Sequence, residues 1–418
     1  FGADPTGVAN AYPAFRCASE WISARRGKCK LYIPAGNYLI NSQSDTVAAS
    51  DHAITMYGHD TQSPGQAMFA NVEIFGDPDG LTKIRYDSGM KYGLFKSSDS
   101  LRPPYDTIAD LGTLPAADRV SPMSFIHIQD VQGVTIKDLH VHGGNDQIDT
   151  GGRILPLNNA WGASSRQLPA SGITIQARYA PNQVDLCHTI TVERCTFNNF
   201  CLDGVQVRAG KPDSTRPRGI VLKDLRCNHN SRQGLTIAAG KDIEVRNCTF
   251  NYTSMGPSVL KNTPASGIDF EPDGPVKSVP PIENVHFYNC EAVGNLASAL
   301  QILPVGVGDT GKLSKNIRFT DCLFGDYDTA TIDNHNNTVE ACAQQMVFER
   351  CAFHGLVEAG YFDTVASNSM VFKQCHFSDQ ANVDSAYRFG NYLFKTKYST
   401  AYGLFEDCEF TGFHYATS

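Results

Sequence analysis

The chain is 418 residues long, with 41% hydrophobic residues, 19% charged residues and a formal net charge of −8. That composition is neither disordered nor membrane-spanning, and no apolar run approaches the roughly 20 residues needed to cross a bilayer. The acidic balance argues against a nucleic-acid partner, because phosphate binding wants a basic face. An acidic polysaccharide would need only a local cluster of Arg or Lys.

Residues 1–42 read as a start module. Phe1-Gly-Ala-Asp-Pro-Thr-Gly7 is a loop punctuated by Gly and Pro. Ala11, Phe15, Ala18 and Ile22 follow at helical spacing, and Arg25, Arg26 and Gly27 end the helix. Lys30-Leu-Tyr-Ile-Pro-Ala-Gly-Asn-Tyr-Leu-Ile40 is an apolar strand broken by Pro34 and Gly36. A helix over the first coil would protect an otherwise unpaired edge. With no Met and no signal-peptide pattern at Phe1, the sequence reads as a mature form or an excised domain.

These residues resemble the opening of the pectate-lyase-like superfamily: Phe1-Gly-Ala3, the amphipathic helix, then Ile33-Pro-Ala-Gly-Asn-Tyr-Leu-Ile40. The resemblance implies a right-handed parallel β-helix with an N-terminal α-helical cap, an all-β fold. The superfamily includes polysaccharide lyases, glycoside hydrolases, uronan epimerases and phage tailspike depolymerases. It implies a carbohydrate-active protein, extracellular or on a virion tail, acting on a polysaccharide. It leaves monomer and homotrimer both open, since tailspike relatives are trimers.

Residues 43–120 are less regular. Ile54–Tyr57, Val72–Phe75 and Lys83–Tyr86 read as early strands, and residues 100–120, with Pro103, Pro104 and Pro115, as an excursion. From Phe125-Ile-His-Ile128 the rhythm settles. Residues 146–170 form a long insertion carrying Asp146, Asp149, Arg153, Trp161 and Arg166. Long loops on a rigid scaffold carry binding surface. Trp161 either packs this loop onto the stack or presents a face to a sugar ring.

Next comes a repeat. Ser171-Gly-Ile-Thr-Ile175, Asp203-Gly-Val-Gln-Val207, Gln233-Gly-Leu-Thr-Ile237, Ser266-Gly-Ile-Asp-Phe270 and Ser298-Ala-Leu-Gln-Ile302 share one pattern. Subtraction along Ile173, Val205, Leu235, Ile268 and Leu300 gives intervals of 32, 30, 33 and 32 residues. A fixed period of that size marks a solenoid whose coils stack to share a core. Second strands lie between them at Ile190, Ile220, Ile243, Val285 and Ile317. Asn198, Asn199, Asn228, Asn230, Asn251 and Asn295 gather at the turns that follow, as turn-forming residues. The whole reads as one continuous domain: the cap and first coil over 1–42, then a β-helix over 43–418 with inserted loops near 100–120 and 146–170.

Thirteen Cys make a poor disulfide framework because the number is odd. Cys195, Cys248, Cys322, Cys351, Cys375 and Cys408 each stand two before a Phe, so both side chains face the same way on a strand. They read as a ladder of buried free thiols. No close CxxC pair supports a metal site. Unpaired thiols imply folding in a reducing compartment. Closing coils follow at Met346, Met370 and Gly403. Phe362, Tyr387, Phe389, Tyr392 and Phe394 enrich this end in aromatics suited to closing coils or a subunit contact.

Chemistry points to residues 266–273. Ile268 and Phe270 take one parity, while Asp269, Glu271 and Asp273 take the other. If the apolar pair faces the core, the acids share the outer face. One outward column is then Gln206, Thr236, Asp269 and Gln301, and the next is Arg208, Ala238, Glu271 and Leu303. Asp269 and Glu271 would sit roughly 6–7 Å apart between Cα atoms. Asp203 and Arg232, with Gln233 beside them, stand at the turns just before this face.

Glycoside hydrolysis uses two carboxylates, one holding a proton for the leaving oxygen and one that activates water or attacks the sugar. Asp269 and Glu271 fit that pair, with Asp203 and Asp273 in support. Arg208, Arg232, Gln233, Gln206 and Gln301 would bind substrate. A solvated acidic strand and a calcium clamp are the bland alternatives. His229 serves either as a turn residue or at the substrate. A lyase or C5-epimerase on a uronic-acid polymer needs a base and a cation, which Arg208, Arg232 and Lys261 could supply. Hydrolysis needs no metal or other cofactor, whereas a lyase could use calcium to bridge the acids to a uronate. A non-catalytic glycan-binding adhesin is the third reading.

Overall fold

The computed structural model describes residues 1–45, 51–58, 70–101, 103–104, 116–151, 168–178, 187–209, 216–256, 260–262, 264–272, 282–302, 314–325, 338–341, 343–359, 370–378, 394–396 and 403–411. Most of 100–120 and 146–170 falls outside these residues, as do Asp273, Trp161, Phe362, Tyr387, Phe389 and Tyr392.

Parallel strands stack coil upon coil into long sheets, giving the expected parallel β-helix. The back sheet has eleven strands, running from Gly27–Tyr32 to Gly403–Glu406. The front sheet has ten, running from Ile54–Tyr57 through Asp203–Ala209, Gln233–Ile237 and Ser266–Phe270 to Phe394–Thr396. A third side is built from two five-stranded sheets, joined by single bridges at Arg226 and Thr249. The antiparallel pair among the described strands is Lys91–Leu94 with Arg119–Val120.

The register follows the apolar repeat. Ile173 pairs with Val205, Val205 with Leu235, Leu235 with Ile268 and Ile268 with Leu300. Ile190, Ile220, Ile243, Val285 and Ile317 align the same way on the back sheet. All ten are essentially inaccessible to solvent. Such β-branched and aliphatic residues fit a pleated surface packed on its inner face.

The helix Tyr12–Arg25 buries Phe15, Ala18 and Ile22. It packs on Gly27–Tyr32 and Ile54–Tyr57, the end strands of the back and front sheets. Phe15 meets Phe125 edge-on at 5.6 Å between ring centres. Arg26 ends the helix in a left-handed conformation at φ 51°.

One corner of each coil carries a repeated device. Asp138, Arg194, Asp224, Asn247, Asn289, Asp321, Arg350, Gln374 and Asp407 all adopt φ between 49° and 60°. Asn and Asp tolerate that region better than most residues. Side chains add a ladder, with Asn247 donating to Asp224 (2.9 Å) and Asn289 to Asn247 (3.0 Å). Seven of these residues precede the Cys at 195, 248, 290, 322, 351, 375 and 408, so each turn aims its thiol inward. Cys408 alone of the seven is more than slightly exposed, and every cysteine among the described residues is free.

The Phe that follow form their own stack. Phe324, Phe353, Phe377 and Phe410 sit face to face at 5.5, 4.8 and 4.8 Å. Phe319, Phe348, Phe372 and Phe405 repeat this from the back sheet at 4.9, 5.1 and 5.0 Å. The spacing is that of neighbouring strands, roughly 4.8 Å, so coil stacking itself sets the ring stacking.

Candidate functional site on the front sheet

The front sheet owes its site to a glycine ladder. At Gly204 an added Cβ would lie 2.6 Å from the Cβ of Cys227, and at Gly234 it would lie 2.7 Å from that of Phe250. Cys227 and Phe250 are core residues, so the missing side chain points inward. The next residues, Val205 and Leu235, point inward too. The chain therefore bends at each Gly, and the residue before it swings onto the outer face. That bend brings Asp203 and Gln233 beside Gln206, Thr236 and Asp269.

The outward column is in register as expected. Thr174 pairs with Gln206, Gln206 with Thr236, Thr236 with Asp269 and Asp269 with Gln301. In the second column Arg208 pairs with Gln176, while Leu303 lies outside the described residues. Thr174, Gln206, Thr236 and Asp269 point away from the core yet are buried, and Asp269 and Asp203 are wholly inaccessible. Gln176, Arg208 and Glu271, one position further along, are partly open to solvent.

Arg232 ties the acids together. Its buried guanidinium is ion-paired with Glu271 and lies 3.5 Å from Asp203 Oδ2. Read from sequence as a substrate ligand, Arg232 is thus placed between two acids of the chain itself. Thr236 Oγ1 donates to Asp203 Oδ2 at 3.0 Å and also contacts Gln233 Oε1. Gln233 Nε2 donates to Asp269 Oδ2. Asp203 Oδ1 and Asp269 Oδ1 are buried with no hydrogen-bond partner among the described residues.

Burial pushes the Asp203 carboxyl up to about 6, against the pull of Arg232 and Thr236. Burial, with the charge of Glu271 next, raises Asp269 well above the ordinary carboxylate range. Arg232 and the Gln233 amide act in the opposite direction. A low-dielectric site disfavours the charged form, so burial favours the protonated form of Asp269, while Glu271 has a cation to face.

The remaining candidates fall elsewhere. Gln301 donates to Glu340 Oε2 at 3.3 Å, one coil further on. His229 sits at a left-handed corner, stacked on Tyr252 at 5.1 Å, with its Nδ1 3.4 Å from the Met255 carbonyl. Among the described residues, no group of three or more His, Cys, Asp or Glu is arranged to hold a metal.

Sequence reasoning missed Thr236 as a partner of Asp203, though its place between Gln206 and Asp269 in the column was visible. It also missed the N-terminal end of the same face. There Thr55 pairs with His127 and His127 with Thr174, while Tyr57 pairs with Gln129 and Gln129 with Gln176. The alternation in Phe125-Ile-His-Ile128 was the signal for His127.

The fold is one shared with solved parallel β-helix structures. The chain is similar to the A-module of mannuronan C-5 epimerase AlgE4 from Azotobacter vinelandii. That match has 13% identity and a TM-score of 0.55, covering 99% of this chain and 94% of that one. It is also similar to the Agl-KA catalytic domain, at 14% identity and a TM-score of 0.52, covering 100% of this chain and 65% of that one. At such identities the likeness is one of fold. No protein-family model and no curated protein matches the chain.

Proposed function

We propose that this protein is a polysaccharide-degrading enzyme, a glycoside hydrolase that cleaves an extracellular or cell-surface polysaccharide. The observation that carries this reading is the contrast between two acids on one face. Asp269 is buried, its pKa is raised, and its Oδ1 has no partner among the described residues. Glu271 is partly exposed and ion-paired with Arg232. A carboxyl that keeps its proton serves as general acid to the glycosidic oxygen, and Oδ1 is the oxygen left to give it. A carboxylate held by a guanidinium activates water or attacks the anomeric carbon. Asp203, fixed by Thr236 and Arg232, positions this pair.

Asp269→Asn and Glu271→Gln should each lower turnover by roughly 10²–10⁴-fold while leaving the coil folded. Full turnover in both single variants would end the assignment. Asp269→Asn removes a buried acid, so its melting temperature should stay level or rise.

A second reading, β-elimination or C5 epimerisation of a uronic-acid polymer, is favoured by the cations further along the face, Arg208 and Arg178. Reducing ends and the ultraviolet absorbance of unsaturated uronic products, followed together over a polysaccharide panel, separate the two. Reducing ends alone mean hydrolysis. Both signals together mean elimination, and inversion without cleavage means epimerisation. Binding with no chemical change would mean an adhesin.

A further inference from the structure

We propose that the N-terminal part of the front face, around His127, is an anion subsite that binds an acidic sugar unit of the substrate, several rings from the carboxylates. This rests on the reading that the front face binds a glycan.

His127 is 7% exposed, although it points away from the core. Its Nε2 lies 3.0 Å from Gln176 Oε1, an acceptor, so Nε2 carries the proton and Nδ1 holds a lone pair. That Nδ1 is buried and has no hydrogen-bond partner among the described residues. His52 packs edge-on against it at 4.6 Å and Tyr57 at 5.6 Å. His52 Nδ1 accepts from the Ser124 amide at 3.0 Å, which fixes His52 in its neutral form.

Around these rings lie three guanidinium groups. Arg16 donates to the His52 carbonyl at 3.0 Å. Arg178 follows Thr174 and Gln176 in outward alternation, and its backbone amide is held by Asp130 Oδ1 at 2.8 Å. Arg208 pairs in register with Gln176. Burial brings His127 down to about 4, and the charges of Arg208 and Arg178 push the same way. The two local acids are engaged, Asp51 by Ser44 Oγ and Asp130 by the Arg178 amide.

The face is therefore polar along its length. Its N-terminal end carries Arg16 and Arg178, and Arg208 stands between that end and the acids, on the strand that also carries Asp203. Its middle carries Asp203, Asp269 and Glu271 around Arg232, with Glu340 one coil beyond Gln301. From His127 the column steps through Thr174, Gln206 and Thr236 to Asp269. Four steps at roughly 4.8 Å make about 19 Å, a span of several pyranose rings. A sugar carboxylate, or a sulfate or phosphate substituent, is disfavoured beside Glu271 and matched at the arginines. A neutral ring fits at the acids, where a proton must be given to an uncharged oxygen. His127 Nδ1 accepts a hydroxyl of the bound acidic unit. The substrate is then a heteropolymer in which acidic and neutral units alternate or branch.

The test is binding by isothermal titration to uronic-acid polysaccharides and to the same polymers with their carboxyl groups reduced to alcohols. Arg178 is the probe residue because it is exposed, and its backbone amide survives substitution. The expected result is about tenfold weaker binding after reduction, and a similar loss in Arg178→Ala for the acidic polymer only. Arg178→Glu should lose more. Equal affinity for acidic and reduced polymers, an unaltered Arg178→Glu, or no binding to any acidic polymer overturns the subsite. Turnover in Asp269→Asn reads the carboxylate assignment separately, so either idea can fail while the other stands.

Discussion

The back and front sheets are built from the same coils, yet they treat outward charge in opposite ways. On the back sheet, Glu73 is gripped by Lys30 and Lys137, each at 2.6 Å, and Glu283 by Arg216 at 2.9 Å and Lys315 at 2.7 Å. Every one of these cations keeps some contact with water, and the paired lysines hold Glu73 below its usual range. On the front sheet Asp203 and Asp269 are buried while Glu271 is partly open, one guanidinium serves two of the three, and among the described residues two carboxyl oxygens have no partner. An unsatisfied buried polar group costs about 1–3 kcal/mol, and nothing in stacking the coils requires it. The back sheet shows how this scaffold handles charge when only stability matters. The front sheet's departure from that pattern supports the proposal that this face is a working surface.

The comparison breaks most directly at Asp269. Asp269→Asn against Glu73→Gln should separate activity from stability, with the first losing turnover by roughly 10²–10⁴-fold and the second losing none. Arg232 comes next. Arg232→Met leaves Asp203 and Glu271 buried or half-buried without their cation, at a cost of about 3–5 kcal/mol in chemical denaturation at neutral pH. That loss should shrink toward pH 4, where Asp203 is protonated and needs no cation.

A smaller effect follows from Asp203 itself. Its folded pKa of about 6 lies above the ordinary carboxylate value, so the folded chain binds more protons than the unfolded one between those values. Stability therefore falls as pH rises from about 4 to about 6 and levels off above, by at most 2–3 kcal/mol from this group. Asp203→Asn should flatten that slope. Asp269, whose carboxyl pKa burial also raises, adds a loss of the same sign. A slope of opposite sign, as paired surface carboxylates such as Glu73 produce, would mean that the front acids are ionised throughout.

The stacking of the coils was legible because the repeat from Ile173 to Leu300 keeps nearly one period and each strand turns alternate apolar residues inward. The shared face of Asp269 and Gln206 followed from parity alone. Two features were not legible. The bridge made by Arg232 depends on where a long side chain leans from a turn, which spacing does not fix. The His127 end was hidden by insertions. Ile126 to Ile173 is 47 residues and Ile54 to Ile126 is 72 by subtraction, so these coils fall outside the period that revealed the others. Their strands still stack in register, because an insertion between strands costs only loop entropy, about 0.6 kcal/mol per doubling of length.

Lys137 is the mildest probe, and it tests the reasoning behind all the others. Its ammonium pairs with Glu73 and also lies 5.6 Å from the Phe75 ring centre, so it has two partners. Both contacts face water, and Lys30 remains on Glu73 when Lys137 is removed. Lys137→Ala should therefore cost no more than about 1 kcal/mol, and less at high salt. Arg232→Met breaks two ion pairs, against one ion pair and one ring contact for Lys137→Ala. If denaturation gave the two substitutions equal cost, burial would not be what distinguishes the faces, and the front acids would lose their claim to be a site. A severalfold larger loss for Arg232→Met means that the front sheet holds charge where water cannot help it. In that setting a proton held on Asp269 is available to a substrate rather than to solvent.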